Sequence, residues 1–292
     1  MPTWMTSKLE LIKLGQNMKL ITEGVKLIYV FDGEAPELKG KTKEKRLEAK
    51  RLAKEKFEKA KEEEDVEAMG KYARSEVHLD EQKINESKEL LSAMGIAVVQ
   101  APSEGEAQAS FMAKDNKEIY AVASQDYDCL MFKAPLLIQN LSMSRRRKTY
   151  SGYKEIFPQI ISLDDVLKEL EINQEQLICL GILCGTDYNP RGVKGLGPKK
   201  SLKFVKEFES KEKIFQAVEE HEKLELDFDW KIIYEEIENP NVNKKVEIKF
   251  PEINRDKIKK ILTKYEFSEA RVDNQFLKLD ELKKKAAQKT LF

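Results

Sequence analysis

Apolar residues in this chain fall into short blocks separated by polar, periodic stretches, and these blocks set the elements that the sequence predicts. Met1 to Gly24 reads as a helix with Leu9, Ile12, Leu20 and Ile21 along one side. Val25 to Phe31 (VKLIYVF) is a continuous apolar run of strand length, as are Ile96 to Val99, Ile119 to Ser124 and Leu136 to Gln139. An amphipathic helix precedes the second strand, with Asp80 as its cap, Ile84, Leu90, Leu91 and Met94 on its apolar face, and Gly95 as its stop. Another lies between the second and third strands, opened by Pro102 and Ser103 and continued by Ala107, Gln108, Ala109 and Phe111. Strands alternating with helices predict an α/β fold with a mostly parallel central sheet flanked by helices. Near Ser162 the pattern changes to short capped helices, Ser162 with Asp165 and Asn173 with Gln176, the second running through Leu177, Leu180, Ile182 and Leu183. A larger and a smaller unit follow, which 292 residues can support.

Acidic residues collect where these elements end. Glu104 and Glu106 stand in the first turn of the Pro102 helix, and Asp126 and Asp128 just beyond the Ile119 to Ser124 strand. Ligand sites of α/β sheets lie at the carboxyl ends of strands, so the four acids converge where such a sheet puts chemistry. A bland alternative exists: Ser103 and Glu106 match a capping box, and Asp-x-Asp after a strand is commonly a turn. Four like charges at one site repel, however, unless a cation neutralises them. With no His or Cys among them, the donor set points to magnesium, with manganese as the alternative. Asp32, beside Gly33 at the end of the Val25 to Phe31 strand, stands in the same relation to its strand, although Asp-Gly alone reads as a turn.

Overall charge separates nothing, because 52 basic and 52 acidic residues cancel. Its distribution is informative. Residues 41–61 (KTKEKRLEAKRLAKEKFEKAK) carry ten basic and four acidic side chains, with few apolar ones beyond Leu47, Leu52 and Phe57. A solvated helix with i,i+4 pairs is one account of it. Its place directly after a metal-type strand favours a basic arm that holds phosphates. The cluster Arg145, Arg146, Arg147 and Lys148 reads as a solvated turn, and His78 as a surface residue. Cys129, Cys179 and Cys184 lack zinc spacing and read as buried thiols of a reducing compartment. No apolar run reaches membrane-spanning length and the start lacks the shape of a signal peptide, so a soluble, intracellular protein is expected.

In the second unit, GTDYNPRGVKGLGPKKSLKFV places Asp187 ahead of a glycine hairpin that leads into a helix, with Pro198 suited to its first position. Gly192, Gly195 and Gly197 permit close backbone approach, and helix N-terminal N–H groups bind phosphate without reading bases. Lys194, Lys199 and Lys200 add positive charge.

Five stretches, YVFDG (Tyr29 to Gly33), APSEGEAQA (Ala101 to Ala109), SQDYDCL (Ser124 to Leu130), GTDY (Gly185 to Tyr188) and GVKGLGPKK (Gly192 to Lys200), together resemble the archaeal type of flap endonuclease, of the structure-specific 5′ nuclease superfamily. The resemblance runs from about Thr6 to the C-terminus. It implies a nuclease domain over 1–160 with a basic helical arch over about 38–78, a helix-hairpin-helix DNA-binding subdomain over 161–275, and a tail over 276–292. It further implies that Asp32, Glu104, Glu106, Asp126, Asp128 and Asp187 hold two Mg2+, or Mn2+, and that Lys39 and Arg46 contact the scissile phosphate. The hairpin would grip duplex backbone with help from a monovalent cation. The implied activity is cleavage of branched or flapped DNA, with 5′–3′ exonuclease activity beside it, by a monomer in replication and repair, cytoplasmic in an archaeon and nuclear in a eukaryote.

Two departures from that pattern carry expectations of their own. MPTWMTSKLEL has no counterpart to the strand that bears the family's first metal-site aspartate, which predicts one ligand and part of the sheet absent. A DNA-structure binder impaired in catalysis is therefore the alternative function. At the other end, Gln288, Leu291 and Phe292 resemble the start of the box that binds the sliding clamp, the proliferating cell nuclear antigen, without its later aromatic pair; a plain frayed terminus is the alternative.

Overall fold

The structure is a computed structural model and describes residues 16–34, 36, 38, 51–52, 55–61, 65, 81–141, 146–149 and 152–289. Helix α1 covers residues 16–22, and strand β1 (Ile28–Phe31) follows, shorter than the apolar run that announces it. Helix α2 covers residues 55–61, and α3 (Glu81–Ala93) stops at Gly95, whose φ is +81°. Strand β2 (Ala97–Gln100) pairs with β1. Leu27 O accepts from Ala97 N–H at 3.3 Å and Phe31 O from Ala101 N–H at 2.9 Å, an advance in the same direction that makes the pair parallel.

Next come α4 (Gly105–Asp115), β3 (Val122–Ala123), the short α5 (Asp128–Met131) and β4 (Leu136–Gln139). β3 is far shorter than the expected Ile119 to Ser124 strand. Asn116 draws the chain into a turn that takes the N–H groups of Glu118 and Ile119, so those residues donate to the turn and not to a ladder. β3 and β4 are parallel, and β4 pairs antiparallel with β7 (Gln159–Ser162). Of the cluster expected as a solvated turn, Arg146, Arg147 and Lys148 belong instead to a hairpin of β5 (Arg146–Thr149) and β6 (Gly152–Glu155), and Arg145 lies outside the described residues. Its ladder is built from backbone groups, which a polar run satisfies without apolar alternation. The remaining helices are α6 (Leu163–Leu170), α7 (Gln174–Cys184), α8 (Pro198–Glu207), α9 (Lys211–Glu219), α10 (Trp230–Glu238), α11 (Arg255–Lys264) and α12 (Glu269–Lys289). Ser162 caps α6 through the Asp165 N–H, and Asn173 and Gln176 form the reciprocal capping box of α7, both as expected.

Packing divides the chain into two compact units that are not collinear with the sequence. One comprises the described residues of 1–29, 45–99 and 247–292, and the other those of 30–44 and 100–246, so the expected division near residue 160 lies inside the second. In the first unit α3 packs on α11. Asn254 N–H donates to Ala93 O at 2.8 Å, Glu86 receives both Lys264 and Tyr265, and Tyr29 donates to the buried Asn17 at 2.8 Å. In α2, Phe57 and Ala60 are buried, whereas Arg51–Glu55 (3.9 Å) and Lys61–Glu58 (4.0 Å) pair on the surface. Those pairs fit the solvated-helix account, and the rest of the expected arch lies outside the described residues, as does the opening segment before residue 16.

The second unit has one continuous core, in which Ala107 of α4, Leu130 of α5 and Leu137 of β4 join Ile178, Ile182 and Leu183 of α7, Val205 of α8, and Ile214 and Phe215 of α9. Phe215 stacks on Trp230 with ring centroids 4.2 Å apart. No helix among the described residues is long and apolar enough to cross a membrane. Truncating Phe215→Ala removes a fully buried ring and its stacking partner, and should cost ~3–5 kcal/mol of unfolding free energy in urea titration.

Candidate active site

All six acids singled out in the sequence belong to the second unit, and hydrogen bonds link five of them, Asp32, Glu104, Glu106, Asp126 and Asp128, to groups around the start of α4. Gly33 packs so tightly on the chain before α4 that a Cβ there would sit 2.3 Å from Ala101 O and 2.4 Å from Pro102 O. Only glycine permits that approach. Gly33 N–H donates to Ser103 O at 2.6 Å, and Asp32 is thereby carried to the start of α4, where its Oδ1 accepts from Gly105 N–H at 2.7 Å. The cap of α4 is thus supplied by a distant segment. Glu104 occupies the N-cap position without a side-chain cap of its own, and the capping box of Ser103 and Glu106 suggested by the sequence does not form. Glu106 turns instead to Ser124, which donates to its Oε1 at 2.5 Å. Ser124 Oγ also accepts from Asp126 N–H at 3.0 Å, and Asp126 Oδ1 accepts from Asp128 N–H at 3.0 Å, at the start of α5.

Glu104 Oε2 accepts from the Tyr188 hydroxyl at 2.6 Å, which ties the segment holding Asp187 to the start of α4. Burial, and then the charges of Asp126, Asp32 and Glu104, hold the Glu106 carboxyl above its ordinary range against the opposing bond from Ser124. The Tyr188 hydroxyl is pushed up by burial, by its bond to Glu104 and by the Glu104, Glu236 and Asp128 charges, so it remains a donor. Beneath them, burial first and Glu106 second raise the Cys129 thiol to about 12, which leaves it a packing group.

The acids are gathered but not closed around an ion: among the described residues no three His, Cys, Asp or Glu side chains converge on a common coordination point. Their chemistry nonetheless fits a hard divalent cation. Every candidate ligand is a carboxylate, and their mutual repulsion is registered at Glu106.

Just beyond the last turn of α7, beside Asp187, Thr186 and Asn189 form a buried knot. Asn189 Oδ1 accepts from the Thr186 N–H (3.1 Å) and hydroxyl (2.7 Å), and Asn189 Nδ2 donates to Ile182 O at 2.7 Å. Gly192, at φ +56°, folds the hairpin back so that a Cβ would lie 2.4 Å from Leu183 O. The hairpin runs through Gly195 to Gly197, the N-cap of α8, with Pro198 at its first position as expected. Lys199 and Lys200 are exposed in that first turn. Lys194 is engaged by Glu225, at 2.9 Å, and the two residues also form a backbone bridge.

Tyr188, Ser124 and Glu225 escaped the sequence analysis. The first two adjoin acids within the quoted motifs, and that adjacency was the available signal; nothing local marks Glu225, which is 31 residues from Lys194. Lys39, Arg46, Leu291 and Phe292 lie outside the described residues, and Gln288 is placed only as backbone of α12. Because its carboxyl is held high in the fold, Glu106 favours the folded state below the ordinary 4.5, and that contribution fades as pH rises through the folded value. Glu106→Gln should therefore raise the melting temperature of metal-free protein at neutral pH, by ~2–4 °C per kcal/mol of relieved repulsion, with the gain shrinking on acidification in scanning calorimetry.

The XPG I-region family model matches residues 95–187, the span that holds five of the six acids. Among curated proteins, flap endonuclease 1 of Thermococcus onnurineus is 44% identical over 279 residues, covering 94% of this chain and 80% of that protein. The flap endonuclease 1 of Pyrococcus furiosus is 43% identical at the same coverage. Among solved structures, the flap endonuclease-1 from Methanococcus jannaschii aligns with a TM-score of 0.66 at 35% identity, over 91% of this chain and 79% of its own. The catalytic core of Rad2 in complex with DNA substrate aligns at 0.68 with 20% identity, over 90% of this chain and 80% of its own, a likeness of fold. With identity at this level spread over most of both chains, this protein belongs to the flap endonuclease family.

Proposed function

We propose that this chain is a structure-specific flap endonuclease that hydrolyses phosphodiester bonds of branched DNA, with Asp32, Glu104, Glu106, Asp126, Asp128 and Asp187 as the ligands of its divalent ions. The observation that carries it is the gathering of acids from four separate segments at the start of α4, where Asp32 meets Gly105 N–H, Ser124 joins Glu106 to Asp126, and Tyr188 joins Glu104 to the segment of Asp187. Two Mg2+ or Mn2+ ions held by these carboxylates would supply a water activated for in-line attack and stabilisation of the leaving oxygen. The chain's own part is to hold hard oxygen donors in a half-buried rim. Lys39 and Arg46 are the cations assigned to the scissile phosphate, where they would offset charge developing on its oxygens.

The glycine hairpin is assigned to duplex backbone, with its N–H groups, the exposed Lys199 and Lys200, and a monovalent cation as the means of contact. DNA-bound Rad2 shares this fold, which supports the assignment. Selection among substrates then rests on the shape of a bent, gapped duplex and its free 5′ strand, not on base edges. Docking of the 288–292 tail on the sliding clamp belongs to the same proposal.

Incubation with a 5′-flap duplex and Mg2+ tests the activity: a defined incision product is expected, whereas retained binding without product would favour the catalytically impaired binder. Asp128→Ala should abolish incision while sparing flap binding; full activity in that variant would remove the ligand assignment. Lys194→Ala should weaken binding and reduce the slope of log K against log salt by ~1. Glu225→Gln should do the opposite and tighten flap binding by up to ~5-fold, the worth of an exposed ion pair, because Lys194 is then released to phosphate.

A further inference from the structure

Two side-chain hydroxyls that have no part in the chemistry above stand directly behind the acids. Ser124 Oγ bridges Glu106 Oε1 (2.5 Å) and Asp126 N–H (3.0 Å), so one atom joins the start of α4 to the loop between β3 and α5. The Tyr188 hydroxyl reaches Glu104 Oε2 (2.6 Å) and joins the same start of α4 to the segment of Asp187. Neither hydroxyl is on a loose tether. Tyr188 N–H donates to Thr186 Oγ1 at 3.2 Å, and Thr186 is locked by Asn189, with both of these residues buried. Ser124 follows directly on β3, whose Val122 and Ala123 are paired with Leu137 and Ile138.

We infer that Tyr188 and Ser124 are positioning residues that fix the carboxylates of Glu104 and Glu106 before an ion arrives, and so set the affinity of the protein for divalent cations. The inference rests on the ligand assignment proposed above. Its physical basis is the repulsion already described: a carboxylate freed of its donor turns away from its like-charged neighbours, and an ion must then spend binding energy to bring it back. Each hydroxyl donates to one carboxylate oxygen, the arrangement by which outer donors orient metal ligands. Each also joins segments, so its loss frees a rotamer and loosens the distance between two groups of acids together.

The test is titration of Mn2+ into metal-free, full-length protein without DNA, followed by calorimetry, for the wild type, Tyr188→Phe, Ser124→Ala and Ser124→Thr. Removal of either hydroxyl should weaken Mn2+ binding ~10–100-fold, and Ser124→Thr, which keeps the hydroxyl, should restore it. On flap DNA, the metal concentration for half-maximal incision should rise by a similar factor in Tyr188→Phe and Ser124→Ala, while the rate at saturating metal recovers towards that of the wild type. Wild-type affinity in both variants would overturn the inference, as would a lowered melting temperature with unchanged affinity, which would leave the hydroxyls a purely structural role. A wild-type protein that takes up no Mn2+ would overturn the ligand assignment itself, and the inference with it.

Discussion

Mutual repulsion among carboxylates is the constraint that the second unit is built to withstand. Its answer, in the metal-free protein, is to give acids neutral donors: a helix N–H for Asp32, a tyrosine hydroxyl for Glu104, a serine hydroxyl for Glu106 and a backbone N–H for Asp126. Such bonds favour the charged forms, yet burial and the neighbouring charges still hold the Glu106 carboxyl high. The helix dipole at the start of α4 works in the same direction, since three of the acids lie at its positive end.

That collection depends on positions with no charge at all. Gly33 lets β1 deliver Asp32 against the chain at Ala101 and Pro102, and Thr186 with Asn189 holds Tyr188 in place. A shared core beneath ties the acid rim to the hairpin: α7 runs from its capping box at Asn173 past the buried Ile178, Ile182 and Leu183, and Gly192 then packs on its last turn. The acid rim and the glycine hairpin are therefore carried by one packed core.

Electrostatics at the hairpin are more restrained than its lysines suggest. Glu225 pairs with Lys194 at 2.9 Å and offsets its charge. Both side chains are largely exposed, and the pair is correspondingly weak. Lys199 and Lys200, exposed on the first turn of α8, add positive charge beside the N–H groups at that end of the helix.

Periodicity and punctuation in the sequence determined the α/β class, the caps at Ser162 and Asn173, the stop at Gly95 and the start at Pro198, because each depends on residues within a few positions of one another. The motif stretches carried the family for the same reason, being contiguous. Tertiary structure alone decided which donor each acid receives. Local spacing paired Ser103 with Glu106, whereas packing of β3 beside α4 offers Ser124, and the close approach at Gly33 makes Asp32 the partner of Gly105. It also decided that the Ile119 run shortens to two strand residues, that the arginine cluster joins a hairpin, and that Lys194 meets Glu225. Hydrogen bonds and charges act through space at a few ångströms, and no pattern along the chain records which distant residues the fold brings to that range.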